Sequence, residues 1–235
     1  MDARDSKVSN WALALGLLLL GGCGNTPAAA DAGAGGSGVD DEVTYPETLP
    51  YARSVESFSP GESAGFGEDE LPDVVLGPPR GKGEQAGSLH VVSLGLGGEI
   101  VLGFGERAIS DEPGADFIVF ENAFWPGGDP SQVYAELGEI AVSQDGQTWH
   151  TFGCDREGNG AGSFPGCAGA TPTQKYDPLE VLPLDHERTG GDAFDLADLG
   201  LESASFVRIT DLGTLGETGT SSGFDLDAVG LTHQD

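Results

Sequence analysis

The chain predicts an all-β sandwich or barrel, on three observations. It contains 39 Gly and 14 Pro in 235 residues with few runs at helical spacing, the composition of a turn-rich β protein. From Leu89 onward, short apolar or alternating segments are separated by turn signals. Finally, 235 residues leave room for one domain of about 150 to 200 residues plus extensions, enough for a sizeable core.

Taken in order, "SLHVVSLGLGG" and "EIVLGF" read as a hairpin turning at Gly97 and Gly98. "DFIVFENAF" is apolar at four successive positions, as for a strand buried on both faces or lying in a sandwich core. "LGEIAVSQDGQTWHTF" reads as a second hairpin. Ile140 and Val142 alternate with polar neighbours, Asp145-Gly146 is a two-residue turn signal, and Trp149 opens the return strand as a core residue. "ASFVRITDLG" and "GFDLDAVGLTH" supply two further strands, the second alternating Phe224, Leu226 and Ala228 against Asp225, Asp227 and Val229. One short helix is expected in "GGDAFDLADLGL", with Asp192 as N-cap, Asp195 in the first turn and Gly200 as the stop.

The amino terminus is a processing signal. Arg4 and Lys7 precede an apolar run at 11–20 that is too short to span a bilayer, followed by small residues and Cys23. "LGGC" at 20–23 resembles the bacterial lipobox, which implies residues 1–22 as a signal peptide and Cys23 as the lipid-modified first residue of the exported chain. Acyl chains there would tether the domain to a bacterial membrane, at the cell surface or outer membrane, without a spanning helix. Residues 23–48, rich in Ala, Gly and Asp, have little to bury and read as a flexible tether; the sandwich domain is placed at 49–235. With Cys23 acylated, Cys154 and Cys167 remain as a pair for an exported environment, and their disulfide would close the Gly-rich segment between them.

With 10 basic against 39 acidic residues the formal net charge is −29, and a nucleic-acid partner is excluded for want of a basic footprint. The acidity reads either as surface solvation or as provision for calcium, a hard ion that prefers carboxylate and carbonyl oxygens.

"VSQDGQTW", "ASFVRIT" and the terminal "FDLDAVGL" resemble, in that order, the second half of galactose-binding-like jelly rolls of the discoidin and carbohydrate-binding-module group. "SLGLGGEIVLGF", "DFIVFENAF" and "GGDAFDLADLGL" are similar to a group of bacterial cell-surface and sorting-signal proteins across residues 55–232. The first resemblance implies a jelly-roll β-sandwich, often with a structural calcium, that binds ligands through loops at one end.

No catalytic constellation stands out. "GTSSG" at 219–223 matches a nucleophile elbow around Ser221, but a strand and the chain end follow it instead of a helix and a later acid. His90, His150, His186 and His233 lack zinc-ligand spacing, and no pair of acids is singled out for glycoside hydrolysis. Calcium has two candidate places. "DREGNG" at 155–160 resembles the first half of an EF-hand loop, with Gly166 where the closing Glu would be. The other combines Asp116 and Glu121, at the two ends of "DFIVFE", with Asp195, Asp225 and Asp227. If Val229 continues the face of Asp225 and Asp227 toward a core, Asp227 is partly buried and needs a cation or donors. The plainer alternative is helix capping by Asp192 and partnering of the others by Arg208 or backbone N–H groups.

Loop aromatics Trp125, Tyr134, Phe164 and Tyr176 are the candidates for stacking on a sugar ring. The expected function is that of a non-catalytic, lipid-anchored binding or adhesion module whose partner is an extracellular glycan or surface protein, with a saccharide the leading ligand on fold analogy. The alternatives are capture of a small nutrient of the cobalamin type, which needs a concave apolar pocket, and a structural envelope role, which needs an exposed patch.

Overall fold

The computed structural model describes residues 45–46, 48–157, 164–213 and 223–233. The signal peptide, Cys23, most of the tether, Gly158 to Gly160 of the acidic loop and Ser221 lie outside the described residues. Among those described, no helix is long and apolar enough to cross a membrane.

The strands are β1 (Ser54–Ser59), β2 (Val92–Ser93), β3 (Glu99–Gly103), β4 (Ile109–Ser110), β5 (Phe117–Glu121), β6 (Gly138–Ser143), β7 (His150–Thr151) and β8 (Cys167–Ala168). Helix α1 (His186–Thr189) precedes β9 (Asp192–Phe194), β10 (Ser203–Ala204), β11 (Phe206–Asp211) and β12 (Asp225–Leu231). A six-stranded antiparallel sheet runs β1-β3-β11-β6-β7, with β8 also on β6. A four-stranded antiparallel sheet runs β2-β12-β5-β9, and β10 pairs with β4. The fold is therefore an all-β sandwich.

The two sheets share one core. Ile100 and Leu102 of β3, Ile140 and Val142 of β6 and Val207 and Ile209 of β11 meet Phe117 and Val119 of β5 and Leu226, Val229 and Leu231 of β12. Phe117 stacks on Phe194 at 5.2 Å between ring centroids and meets the Phe152 ring edge-on at 5.9 Å. Strand β11 buries alternate residues, as a strand with one wet face does. Strands β5 and β12 are buried at every position. A second apolar layer explains this: Ile118, Phe120 and Ala228 pack away from the shared core against Leu49, Tyr51 and Leu184. Of the two readings of "DFIVFENAF", burial on both faces is the one found.

Three local expectations are corrected here. Residues around Gly97 and Gly98 do not turn a hairpin, because β2 joins the four-stranded sheet and β3 the six-stranded one. The turn instead carries the chain from one layer to the other, held by Gly98 N–H donating to Gly95 O and Gly97 N–H donating to Asp211. "DAFDLADL" is not one helix: Asp192–Phe194 forms β9 beside β5, and Asp195 caps a single 3₁₀ turn, Leu196–Leu199, closed by left-handed Gly200. The short α-helix lies earlier, at His186–Thr189, capped by Asp185. Pairing with a buried neighbour overrode the helical signal. In β12 a bulge at Asp227 shifts the register, so Val229 follows Phe224 and Leu226 into the shared core while Ala228 faces the second layer.

The β6–β7 hairpin forms, with Ala141 opposite Thr151 and Val142 opposite His150. Its loop is six residues, 144–149, in place of a two-residue turn. Asp145 organises it by accepting from the N–H groups of Gln147 at 2.8 Å and Thr148 at 2.7 Å. Trp149 is half-buried beside the loop instead of in the core, with the Arg208 guanidinium 4.5 Å above its ring. The Cys154–Cys167 disulfide is present. Closing a loop of that length stabilises by roughly 3 kcal/mol in the chain-entropy model.

The Asp145 carboxyl is held down to about 2, first by the Thr148 N–H and then by that of Gln147. A depressed folded value means that the ionised form supports the loop above the unfolded carboxylate range, and that this support is lost as pH falls toward 2. NMR titration should place the Asp145 midpoint near that value; a midpoint near the ordinary 3.9 would show that the loop amides do not hold it in solution.

Candidate functional site

The four-stranded sheet gathers acids at one end. Ser93 of β2 pairs with Asp225 of β12, and Leu226 next to it pairs with Glu121, the last residue of β5. Three adjacent strands thus converge on one point. Glu136, from the segment leading into β6, is near enough for its charge to act on Glu121; Glu121 is 2% exposed, Asp225 5% and Glu136 6%. Asp225 accepts a short hydrogen bond from the Ser93 hydroxyl and a long one, 3.4 Å, from Asn122 Nδ2. Glu121 Oε1 accepts from the Asp225 N–H at 3.4 Å, and Glu121 Oε2 is buried without a partner among the described residues. Burial pushes the Glu121 carboxyl well above the usual range, and the negative charges of Asp225 and Glu136 push it further.

Residues 77–90 form a cover over this end. The Arg80 N–H donates to both Asp227 oxygens, at 2.9 and 3.0 Å. Gly83 N–H donates to Thr173 O, and Thr173 Oγ1 donates to Glu121 O at 2.8 Å. Trp125 N–H donates to Glu84 O at 2.6 Å. Gly87 lies so close to Asn122 that a Cβ there would sit 2.5 Å from the amide oxygen, and a larger residue would require the Asn122 side chain to shift. Beneath it, Asn122 Oδ1, Trp125 Nε1 and His90 Nδ1 are also buried without a partner among the described residues.

The acids expected to share calcium divide among three places. Glu121 and Asp225 meet as described. Asp116 stands at the other end of β5; five residues of extended strand separate it from Glu121 by about 16 Å, too far for one ion. There, one carboxylate oxygen each from Asp111, Asp116 and Asp195 lie within 4.8 Å of one another. Asp116 accepts from Glu112 N–H at 3.0 Å and Leu196 N–H at 2.7 Å, and Asp195 caps Ala197 N–H at 2.8 Å. His233 Nε2 stands 3.9 Å from Asp116. Asp227 is the third place, bound to the cover through Arg80, with His90 Nδ1 4.0 Å away.

The sequence reading passed over several of these residues. Glu136, between buried Ala135 and Leu137, carried the one available signal, an acid flanked by apolar residues ahead of a strand. Asn122 and Ser93 carried none. Asp192, expected as a helix cap, instead accepts from Gly169 N–H at 2.7 Å, Ala170 N–H at 3.0 Å and Thr171 Oγ1 at 2.7 Å.

The loop aromatics also separate. Tyr134 stacks on Phe124 at 5.0 Å, which occupies one ring face, and Trp125 is half-buried under the cover. Phe164 packs near the disulfide with Ala135 and Leu137. Tyr176 is placed otherwise: with Tyr45, Lys175, Asp177, Pro178 and Leu179 it lines an open pocket of about 590 Å³. Its hydroxyl shares a 2.8 Å hydrogen bond with that of Tyr51. Burial raises both phenols, Tyr51 to about 12, so neither supplies a phenolate near neutral pH.

Asp227→Ala leaves the Arg80 N–H without its acceptor and should lower stability by about 1–3 kcal/mol. Amide exchange at Arg80 and neighbouring cover residues should accelerate; unchanged exchange there would show that the cover is held by other contacts.

No known protein family matches the chain, and no curated protein matches it. Among solved structures, a glycoside hydrolase aligns with a TM-score of 0.29 and 11% identity over 61% of this chain and 22% of its own length. A likeness of that strength carries no conclusion about activity.

Proposed function

We propose that this chain is an exported, lipid-anchored, non-catalytic binding module, a jelly roll in type, whose ligand is a saccharide. The observation that supports this most directly is the open pocket of about 590 Å³ walled by Tyr45 and Tyr176, with exposed Lys175, Asp177 and Leu179 at its rim. Sugar recognition calls for that combination: an aromatic face for the C–H groups of a pyranose, and charged groups at the edge to hydrogen-bond its hydroxyls. Tyr176 is fixed in place by the Tyr51 hydroxyl and by its ring packing 6.4 Å from Phe120, so little ordering is required on binding. The lipobox-like "LGGC" ending at Cys23 supports the anchor, and the disulfide accords with an oxidising compartment.

Calorimetry of the full chain carrying Cys23→Ser against a panel of neutral and acidic oligosaccharides tests the ligand. At least one should bind, and Tyr45→Ala should weaken it about tenfold, roughly 1.4 kcal/mol. A panel without response, or binding indifferent to Tyr45→Ala, would remove the support for this site.

The anchor is tested separately. Expressed in a lipoprotein-processing bacterium, the chain should fractionate with membranes and carry an acyl mass on Cys23, and Cys23→Ser should abolish both. A wild-type chain recovered unacylated would end that reading.

A further inference from the structure

We propose that the surface carrying Leu89, Leu179 and Leu182 rests on the lipid membrane that holds the anchor, and that headgroup phosphates are the partners of the cations beside it. This rests on the anchor reading. A saccharide held at Tyr45 and Tyr176 would on this account be one carried at the membrane surface.

The surface is built outward from the four-stranded sheet. Ile118, Phe120 and Ala228 are covered by Leu49, Tyr51 and Leu184, and Tyr45 and Tyr176 pack against that layer. Three segments are bonded together around it. The Arg80 N–H and His90 meet at Asp227, Gly83 N–H donates to Thr173 O, and Gln174 N–H donates to Thr189 O at the end of α1. Residues 77–90, 173–182 and 186–189 are therefore neighbours in space.

The large apolar side chains exposed among the described residues all belong to these segments: Leu89 at 74%, Leu179 at 59% and Leu182 at 37%. Single exposed apolar residues scattered over a surface need no explanation, but their confinement to bonded segments marks a surface that meets something. The uncommitted cations are gathered there too. Arg80, Lys82, Lys175 and Arg188 are exposed, and none of their side chains makes a hydrogen bond or ion pair among the described residues. The other cations are engaged: Arg53, Arg107 and Arg156 donate to main-chain carbonyls, and Arg208 lies over Trp149 and beside Glu99.

The make-up of the surface selects its occupant. Leucines enter the acyl boundary, tyrosines sit at headgroup level, and lysine and arginine reach the phosphates. Ethanolamine headgroups also carry an ammonium, which provides for exposed acids of the same segments such as Glu84 and Glu180. The chain connectivity points the same way. Tyr45 lines the pocket that Leu179 and Lys175 share, and it follows Cys23 by only 22 residues. Even fully extended, that length spans at most about 80 Å. Docking is then intramolecular, so a surface too weak to capture membrane from solution still engages it.

The test uses the acylated chain, purified from membranes and incorporated through its anchor into vesicles of phosphatidylethanolamine and phosphatidylglycerol. Brominated acyl chains in these vesicles quench any tryptophan that reaches them, and wild type, with Trp125 and Trp149, sets the baseline. Leu179→Trp should lose most of its added fluorescence. Thr151→Trp, exposed on the far face of the six-stranded sheet in line with Arg208, should lose no more than the baseline. Adding Lys82→Glu and Lys175→Glu to Leu179→Trp should cut its quenching about twofold. Should Leu179→Trp fail to fold, Leu89→Trp carries the same test. Quenching at position 179 no greater than at 151 would overturn the inference and leave the surface to a protein partner. Failure of the anchor reading is seen separately, as a chain without acyl mass that does not enter the vesicles, and it takes this inference with it.

Discussion

Strands β5 and β12 lie side by side with no wet face, and the chemistry at their ends follows from that pairing. One side of the pair contributes Phe117, Val119, Leu226 and Val229 to the core between the sheets, and the other contributes Ile118, Phe120 and Ala228 to the layer under Leu49 and Tyr51. Burial on both sides provides a large share of the hydrophobic stabilisation, at about 25 cal/mol per Å² of apolar surface removed from water. It also takes every acid at the strand ends out of water.

Those acids are many and side-chain cations are few, with 10 basic residues against 39 acidic. Arg208 is occupied elsewhere, over Trp149 and 3.6 Å from Glu99. Main-chain amides therefore take the place of cations. Asp211 accepts from Gly97, Gly213 and Phe224 and so joins the crossover turn between the sheets to the entry of β12. Asp116 ties the 3₁₀ turn at Leu196 to the start of β5, and Asp227 draws residues 77–90 over the sheet. Each carboxylate positions a loop that lacks the apolar residues to position itself. Glu121 likewise takes the amides of Asn122 and Asp225, and its Oε2 is buried without a partner among the described residues.

Much of the fold was legible because it is local. The apolar run 117–120 read as a strand, buried on both faces or lying in a sandwich core, and Ile140, Val142 and the Asp-Gly signal placed the β6–β7 hairpin. The Asp145 assignment to a turn was right in kind, although its side chain binds two loop amides across six residues instead of closing a tight hairpin. The errors came where a neighbour distant in sequence decided the outcome. Asp192–Phe194 had the composition of a helix start and became a strand because β5 offered an open edge. Trp149 looked like core until Arg208, two strands away, provided a surface partner. The bulge at Asp227 broke an alternation that the sequence alone would have continued.

By itself the sequence determined the strand-rich class, the acidic charge, the pair of cysteines free to bridge and the apolar run that becomes β5. These depend on composition and on a period of two, both properties of adjacent residues. Only the tertiary structure decided that the charges of Glu136 and Asp225 would act on Glu121 while Asp116 would stand at the other end of β5, and that Tyr176 would line an open pocket while Tyr134 would stack on Phe124. A period specifies the face on which a side chain lies, but which strands become neighbours, and in what register, is set by the packing of the whole chain.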